Sequence, residues 1–291
     1  MIIDAHVHLW KVQEGLVDGK PVREIGGGRA DFGGEVRQML PPYLMNGENT
    51  AEVLLSNMDF AGVNAAVVTQ EDIDGPQDEY LRGMEEKYGG RLKVSSLYVP
   101  GKPLDLRGFS GVKICAGRLA DQNLLHHEEV FDLAASEGKF LLIDLAEGSA
   151  QTGELRILAE KYPALRIAIG HFGMAGRSDW LSQIRLAELP NVRIESGGIT
   201  WLYNEEFWPY RSAVQAFRTA IELVGAKKLL WGSDYPRTMT AITYRMSQDF
   251  LRESSDLTDQ EKKLILGENA REFYGFREMD SIARIRHMAE D

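Results

Sequence analysis

The sequence opens with Met1-Ile-Ile-Asp-Ala-His6-Val-His8-Leu-Trp10, in which an apolar stretch is followed by two histidines one residue apart. We predict a β-strand over Ile2–Val7. Because side chains alternate between the two faces of a strand, Asp4, His6 and His8 should point in the same direction. Two imidazoles at the end of one strand are suitable ligands for a divalent metal ion. This stretch therefore predicts the first strand of a sheet and part of a metal site.

Seven further apolar segments are predicted strands, and helical segments lie between most of them. The eight strands cover Ile2–Val7, Ala65–Thr69, Leu92–Val99, Gly111–Cys115, Phe140–Ala146, Leu165–Gly170, Val192–Ser196 and Lys228–Gly232. They are almost continuously apolar, as expected for parallel strands with both faces covered. The pattern predicts an α/β fold, a (β/α)8 TIM barrel. The barrel should be somewhat distorted, since the link between the third and fourth strands is too short for a crossover helix.

A doubly wound open sheet is the alternative fold. It usually carries a glycine-rich phosphate-binding motif after its first strand, where this chain has His6-Val-His8. We predict one domain over residues 1–275 and an extra C-terminal helix, a charged helical tail, over residues 276–291. The segment Lys11–Asn49 is rich in glycine and has no clear apolar period, so it is predicted to be a long loop after strand 1. Such a loop is either a functional lid or a flexible insertion.

Composition narrows the classes of partner and compartment. The 291 residues carry a formal net charge of −11, which argues against nucleic acids and anionic membranes as partners. A single cysteine, Cys115, excludes an intrachain disulfide and favours a cytoplasmic location. The sequence has neither a signal-peptide pattern nor an apolar run of transmembrane length. We expect a small-molecule substrate, and a homo-oligomer remains open.

In a parallel barrel all strands end at one face, where active sites lie. Polar residues at the predicted strand ends are therefore the candidates for function. They are His6 and His8 on the first strand, Lys113 on the fourth, Asp144 on the fifth, His171 after the sixth, Glu195 on the seventh, and Asp234 after the eighth, with Arg237 three residues later.

Four motifs in this order resemble the amidohydrolase superfamily. They are His6-Val-His8, Gly170-His-Phe-Gly173, Trp231-Gly-Ser-Asp-Tyr-Pro236 and Gly267-Glu-Asn-Ala-Arg-Glu-Phe-Tyr274. The resemblance extends from Met1 to about Gly275. It is strongest to the amidohydrolase-related branch, which contains metal-dependent TIM-barrel hydrolases, including lactonases, and non-oxidative decarboxylases.

The resemblance implies a role for each motif residue. His6, His8 and Asp234 would bind a divalent metal ion, often zinc, and Asp234 would also act as a general base towards water. His171 would bind the metal or polarise the substrate. A metal ion lowers the pKa of bound water to about 7, which makes hydroxide available at neutral pH. Imidazole and carboxylate ligands suit zinc, manganese or iron.

The chain also departs from the family pattern. Binuclear members have a histidine on the fifth strand and a carboxylated lysine on the fourth, whereas this chain has Asp144 and Lys113. We therefore expect one divalent metal ion, zinc before manganese, and a metal-free mechanism stays open because some lactonases of the branch work without metal. Family decarboxylases commonly have the fifth-strand histidine, so its absence favours hydrolysis.

The predicted function is a hydrolase, lactonase-like, that opens a lactone or similar cyclic ester of a sugar acid or aromatic catabolite. Lys113, Asp144 and Arg237 are the candidate substrate-binding residues. Lys113 could instead be a strand lysine paired with a carboxylate, and Arg237 a surface ion pair. A metal-dependent non-oxidative decarboxylase of an aromatic or unsaturated acid is the first alternative function, and a non-catalytic ligand-binding barrel is the second.

Overall fold

A computed structural model describes residues 1–286, 288 and 289. The strands of this part of the chain are β1 (Ile3–His8), β2 (Glu14–Val17), β3 (Lys20–Gly26), β4 (Arg29–Phe32), β5 (Val36–Gln38), β6 (Ala65–Thr69), β7 (Leu92–Leu97), β8 (Gly111–Ile114), β9 (Phe140–Ile143), β10 (Arg166–Ile169), β11 (Val192–Glu195) and β12 (Leu229–Leu230). The α-helices are α1 (Ala51–Ala61), α2 (Asp78–Leu81), α3 (Met84–Lys87), α4 (Glu128–Ser136), α5 (Thr152–Lys161), α6 (Leu181–Ile184), α7 (Ile199–Leu202), α8 (Arg211–Val224), α9 (Met246–Arg252), α10 (Asp259–Lys263) and α11 (Asn269–Tyr274).

Eight of these strands, β1 and β6–β12, form one parallel sheet in which neighbours along the chain are neighbours in space. The strands are short and buried; β6 and β9, for example, have no exposed residue. Burial on both faces explains why they are continuously apolar in sequence. The predicted TIM barrel is confirmed, with strand ends within a few residues of those expected.

The barrel closes where β1 meets the segment after β12. Ala5 N–H donates to the carbonyl oxygen of Trp231 at 2.9 Å, and His8 N–H donates to that of Tyr235 at 2.8 Å. In the reverse direction, Asp234 N–H donates to the carbonyl oxygen of His6 at 3.0 Å. These backbone bonds place the two motif histidines beside the motif aspartate.

Asp4 does not accompany the two histidines. The register of β1 against β6 shifts between Asp4 and Val7, which interrupts the regular alternation of side chains. Asp4 accepts hydrogen bonds from the backbone N–H of Ser233 at 2.9 Å and from the hydroxyl of Tyr244 at 2.8 Å. The expected common direction of Asp4, His6 and His8 is therefore wrong, and Asp4 instead ties β1 to the segments after β12.

The predicted loop over Lys11–Asn49 is also wrong, because β2–β5 form a four-stranded antiparallel sheet there. The glycines that suggested a loop occupy turns of this sheet: Gly27 and Gly28, between β3 and β4, have φ values of 64° and 72°. Tight hairpin turns require such positive φ values, which glycine adopts without strain. The sheet is joined to the barrel through Leu16, whose N–H donates to the carbonyl oxygen of Asp72 at 2.8 Å.

The predicted C-terminal helix is absent from the part of the tail that the structure describes. Residues 276–286, 288 and 289 contain no helix, and residues 287, 290 and 291 of the predicted tail lie outside the described part. The last helix, α11, packs its Phe273 and Tyr274 against barrel residues such as Ile3 and Phe140. None of the described helices is long and apolar enough to span a lipid bilayer.

Candidate active site

Three histidine rings at the carboxyl end of the barrel are oriented in the same way. Each directs Nδ1 towards an oxygen acceptor on a neighbouring element, which leaves Nε2 facing the centre of the site. The contacts are His6 with Glu195 (2.8 Å), His8 with Asp74 (2.7 Å) and His171 with the carbonyl oxygen of Gly197 (2.9 Å). Acceptors at this position fix the ring and raise the basicity of the other nitrogen, as they do for metal-binding histidines.

His6, His8 and Asp234 converge where the barrel closes. The Nε2 atoms of the two histidines lie 3.1 Å apart, and Asp234 Oδ1 lies 3.0 Å from Nε2 of His8 and 3.8 Å from Nε2 of His6. Asp234 Oδ2 accepts a hydrogen bond from the indole of Trp201 at 2.8 Å, whereas the buried Oδ1 lacks a hydrogen bond of good geometry. One carboxylate oxygen is thus fixed, and the other faces two imidazole nitrogens.

Glu71, in the segment after β6, extends this cluster. Its Oε1 atom lies 3.5 Å from Nε2 of His171 and 3.9 Å from Nε2 of His8. Two buried groups could each hold a metal ion, namely His6 with His8 and Asp234, and His6 with Glu71 and His171. The four predicted metal ligands therefore do not converge on one point, because His171 belongs to the group that contains Glu71.

Arg237 lies among the carboxylates and is only 16% exposed. Its Nη2 donates to Oδ1 of Asp74 at 2.5 Å, and its Nη1 lies 3.4 Å from Glu71 and 3.6 Å from Asp234. The same Nη1 lies 3.1 Å from Nε2 of His8. Arg237 is thus a mostly buried cation of the site and not a surface ion pair.

Lys113 and Asp144 form an ion pair of 2.6 Å at the base of the site. Lys113 is completely buried beneath Asp144, and it is Asp144 that lines the cavity. Asp144 also lies 3.5 Å from Nε2 of His171. Burial would lower the pKa of Lys113, but the charge of Asp144 raises it above its ordinary value. The protonated amine does not react with carbon dioxide, so the pairing disfavours the carbamate of binuclear relatives.

The charges around Asp234 keep it ionised at neutral pH. Burial alone would raise the pKa of Asp234, whereas the contact with His8 and the charge of Arg237 lower it below its ordinary value. Burial and Arg237 would lower the pKa of His8, yet Asp74 and Asp234 raise it to about 9. An ionised Asp234 is able to accept a proton at physiological pH.

Unlike Asp234, whose ionised form is favoured, His171 favours its protonated form. Burial would lower its pKa, but the carboxylates of Asp144 and Glu71 raise it well above the ordinary value of histidine. With Nδ1 directed at the carbonyl of Gly197, the protonated ring can donate a hydrogen bond from Nε2. His171 can therefore stabilise negative charge that develops beside it.

Two glycines allow His6 and Glu195 to lie against the backbone. A Cβ atom on Gly197 would stand 2.6 Å from the ring of His6, and one on Gly232 would stand 2.7 Å from the carboxylate of Glu195. Both distances are too short for any larger residue. The residues that follow β11 and β12 thus shape the site by having no side chain.

His171 and Asp234 both have a left-handed backbone conformation, with φ values of 53° and 59°. Residues other than glycine rarely adopt it, and such strain is concentrated at functional sites. The left-handed conformation occurs here at the turns that follow β10 and β12. It directs the side chains of His171 and Asp234, the two predicted catalytic residues, into one cavity.

This active-site cavity has a volume of about 500 Å³, which suits a small molecule. Its charged and polar lining includes Glu71, Asp144, His171, Asp234 and Arg237. Gln38 of β5 and Met39 line it as well, so the small antiparallel sheet forms one wall.

Most of the polar residues predicted from the ends of the barrel strands lie close together in the structure. Those grouped around the cavity are His6, His8, Asp144, His171, Glu195, Asp234 and Arg237, with Lys113 beneath them. Glu71 and Asp74 were missed, although the acidic segment Glu71-Asp-Ile-Asp74 directly follows the second barrel strand. Polar residues after the second barrel strand are therefore candidates for function in the same way as those after the other strands.

A family model described as amidohydrolase matches residues 3–276. The chain belongs to this family. The match covers nearly the whole barrel, including all four sequence motifs, and it confirms the predicted resemblance. The protein is thus an enzyme of the amidohydrolase superfamily.

Relatives and solved structures agree with this assignment. An L-fucono-1,5-lactonase from Burkholderia ambifaria is 27% identical over 257 residues, which is 80% of each chain. An amidohydrolase from Burkholderia multivorans with bound zinc has a TM-score of 0.68 at 16% identity, covering 95% of this chain and 100% of that one. A probable 2-pyrone-4,6-dicarboxylic acid hydrolase from Acinetobacter baumannii with bound citric acid has a TM-score of 0.70 at 19% identity, covering 94% and 99%. The two structural similarities concern the fold.

The donor set is compatible with a divalent metal ion. His6, His8 and Asp234 offer two imidazole nitrogens and a carboxylate oxygen whose buried Oδ1 has no good hydrogen bond of its own. Nitrogen and carboxylate donors of this kind suit zinc and other borderline ions. The main competitor for the same nitrogen of His8 is the guanidinium of Arg237.

Proposed function

We propose that this amidohydrolase opens a lactone, or a similar cyclic ester, of a sugar acid or aromatic catabolite. The observation that carries the proposal is the placement of Asp234 at the floor of the cavity. Trp201 holds one of its carboxylate oxygens at 2.8 Å, and the other faces Nε2 of His6 and His8. An ionised carboxylate held in this way can take a proton from a water molecule that attacks a carbonyl carbon.

Ring opening would proceed in two stages. The oxygen of water forms a bond to the lactone carbonyl carbon while Asp234 takes a proton from that water. The bond between the carbonyl carbon and the ring oxygen then breaks, and the proton moves from Asp234 to the ring oxygen, which gives a hydroxy acid. His171 and Arg237 supply positive charge to the oxygen of the former carbonyl.

His6, His8 and Asp234 would hold one divalent metal ion, with zinc as the first candidate and manganese as the second. When bound, such an ion polarises a carbonyl and makes hydroxide available near neutral pH. The alternative is a metal-free mechanism in which His171 and Arg237 alone polarise the carbonyl. Loss of activity on chelation, restored by added metal, separates the two.

Two comparisons support a lactone as the substrate. The relative with 27% identity is an L-fucono-1,5-lactonase, and one structural neighbour is a probable 2-pyrone-4,6-dicarboxylic acid hydrolase. In addition, Asp144 at the end of β9 takes the place of the histidine common in decarboxylases of the branch. Hydrolysis is therefore preferred over decarboxylation.

The proposal is tested by incubating the purified protein with a panel of sugar-acid and aromatic lactones. Proton release measured in a pH-stat would report ring opening, and carbon dioxide release from aromatic acids would be measured in parallel. We expect proton release with at least one lactone and no carbon dioxide. Carbon dioxide release without lactone turnover would establish the decarboxylase instead, and ligand binding without either reaction would favour the non-catalytic barrel.

A further inference from the structure

Arg118 stands at the boundary between two cavities. It lines the active-site cavity, and it also lines a second cavity of about 440 Å³ between β2, the segment after β6 and the segment after β7. The segment after β6 separates the two spaces, since Glu71 and Ile73 face the first cavity and Asp72 faces the second. A side chain at this boundary can contact a ligand that occupies either space.

The backbone that carries Arg118 is firmly held. It forms a single 3-10 turn, Ala116–Arg118, immediately after β8. Gly117 N–H donates to the carbonyl oxygen of Asp144 at 3.0 Å, and Gln151 donates to the first carbonyl oxygen of the turn at 3.1 Å. The start of the Arg118 side chain therefore has a set position relative to Asp144 on the cavity floor.

The guanidinium of Arg118, in contrast, makes no hydrogen bond or ion pair with any residue among 1–286, 288 and 289. The acidic residues that line the active-site cavity already have cationic partners. The pairs are Glu71 with Arg237 (3.4 Å), Asp144 with Lys113 (2.6 Å), Asp234 with His8 (3.0 Å) and Glu147 with Arg177 (3.9 Å). Within the described part of the chain, Arg118 is thus the unpaired cation of this cavity.

Asp72, an acidic residue on the second cavity, forms no ion pair with Arg118. Asp72 is half-buried on the second cavity and lies beyond ion-pair distance of the guanidinium. Burial raises the pKa of Asp72 above its ordinary value, even though the charge of Arg118 acts to lower it. A carboxylate of a bound molecule could approach Arg118 more closely than Asp72 does.

We propose that Arg118 binds a carboxylate of the substrate, so that the substrate is a lactone carrying a free acid group in addition to its ring ester. This inference rests on the proposed lactone hydrolysis. A guanidinium offers two parallel N–H groups that match a carboxylate. Arg237 cannot serve in this way because Asp74 and Glu71 hold it. A net charge of −11 would repel an anionic substrate, and a free cation at the cavity counteracts that repulsion.

The test compares two lactones that differ by one carboxylate, galactono-γ-lactone and galactaro-γ-lactone. The measured quantity is the ratio of kcat/KM for the acidic lactone to kcat/KM for the neutral one. In Arg118→Gln this ratio should fall by roughly tenfold to hundredfold, as expected for the loss of a charged hydrogen bond. The matched control is Arg185→Gln, an exposed arginine on the outside of the barrel, which should leave the ratio unchanged. An unchanged ratio in Arg118→Gln would overturn the proposal.

A binding measurement separates this inference from the proposed function. Galactarate, the dicarboxylate product of the acidic lactone, is titrated into each protein by calorimetry. Weaker binding to Arg118→Gln than to the wild type and to Arg185→Gln would support the carboxylate site even if neither lactone were hydrolysed. Equal binding to all three proteins would overturn it even if lactones were hydrolysed.

Discussion

Nη1 of Arg237 lies 3.1 Å from Nε2 of His8, the nitrogen that a metal ion bound by His6, His8 and Asp234 would also use. The guanidinium and a bound metal ion would thus compete for the same position beside this nitrogen, and the metal would also have to displace the proton that His8 carries at neutral pH. The nearby carboxylates of Glu71 and Asp74 hold the guanidinium in this position. The affinity of this site for a metal ion should therefore depend strongly on Arg237.

Replacement of Arg237 should strengthen metal binding. Arg237→Met removes a positive charge next to the metal ligands and frees Nε2 of His8, so the Kd for zinc should fall by about tenfold or more. Competitive titration with a chromogenic chelator measures this Kd. Arg245→Met, which removes an arginine paired with Asp249 outside the site, serves as the control. An unchanged or weaker zinc affinity in Arg237→Met would contradict the predicted competition.

The hydrogen bond from Trp201 should influence the pH dependence of activity. Asp234 must be deprotonated to accept a proton, and the indole donor at 2.8 Å favours the ionised form. Trp201→Phe removes that donor and raises the pKa of Asp234, so the acid limb of kcat/KM should move to higher pH, by about one pH unit. Trp180→Phe, remote from Asp234, should leave the limb in place. A shift to lower pH in Trp201→Phe would refute the assignment of Asp234 as the base.

Glu195 should act through His6, which it contacts at 2.8 Å. Glu195→Gln keeps the size of the side chain but weakens the acceptor that orients the imidazole, so kcat should fall by about 10–100-fold. Steady-state kinetics and metal analysis together measure the effect, because a metal-bound His6 would also lose metal affinity. Activity within a factor of two of the wild type would show that the orientation of His6 does not matter.

The buried pair of Lys113 and Asp144 should be a stability element. Lys113→Met leaves Asp144 without its closest cation and should lower the free energy of unfolding by roughly 3–5 kcal/mol. The double variant Lys113→Met/Asp144→Leu removes both charges and should recover much of that loss. Urea denaturation of the single and double variants measures the coupling. Additive effects of the two substitutions would mean that the pair contributes no specific interaction.

The barrel could be predicted because each of its strands is buried on both faces and is therefore apolar in sequence. The small sheet of β2–β5 could not, since its strands alternate weakly and its glycine turns resemble a loop. The buried face of this sheet is small: Val22, Ala30 and Phe32 are buried, whereas the apolar residues Leu16 and Val36 are exposed, so apolar character does not mark one face of every strand. The length and composition of the segment Lys11–Asn49 do not distinguish β-hairpins from an irregular loop.

The expectation that polar residues at strand ends lie close together holds for motif residues late in a strand or after it, as with His6, His171 and Asp234. The prediction missed Glu71 and Asp74, which lie in an acidic segment without a recognised motif. It also misplaced Asp4, because a register shift within β1 cannot be read from alternation alone. The charge network around Arg237 depends on distances between segments far apart in sequence, which no local pattern encodes.

The most direct measurement is the turnover of Asp234→Asn. The asparagine keeps the shape of the side chain and the hydrogen bond from Trp201 can persist, but it cannot take a proton from water. With a lactone that the wild type opens, kcat of Asp234→Asn should fall by at least about 1,000-fold, while its circular dichroism and unfolding midpoint stay close to those of the exposed control Asp132→Asn. Retention of more than about a tenth of wild-type kcat in a correctly folded Asp234→Asn protein would contradict the assignment of Asp234 as the catalytic base.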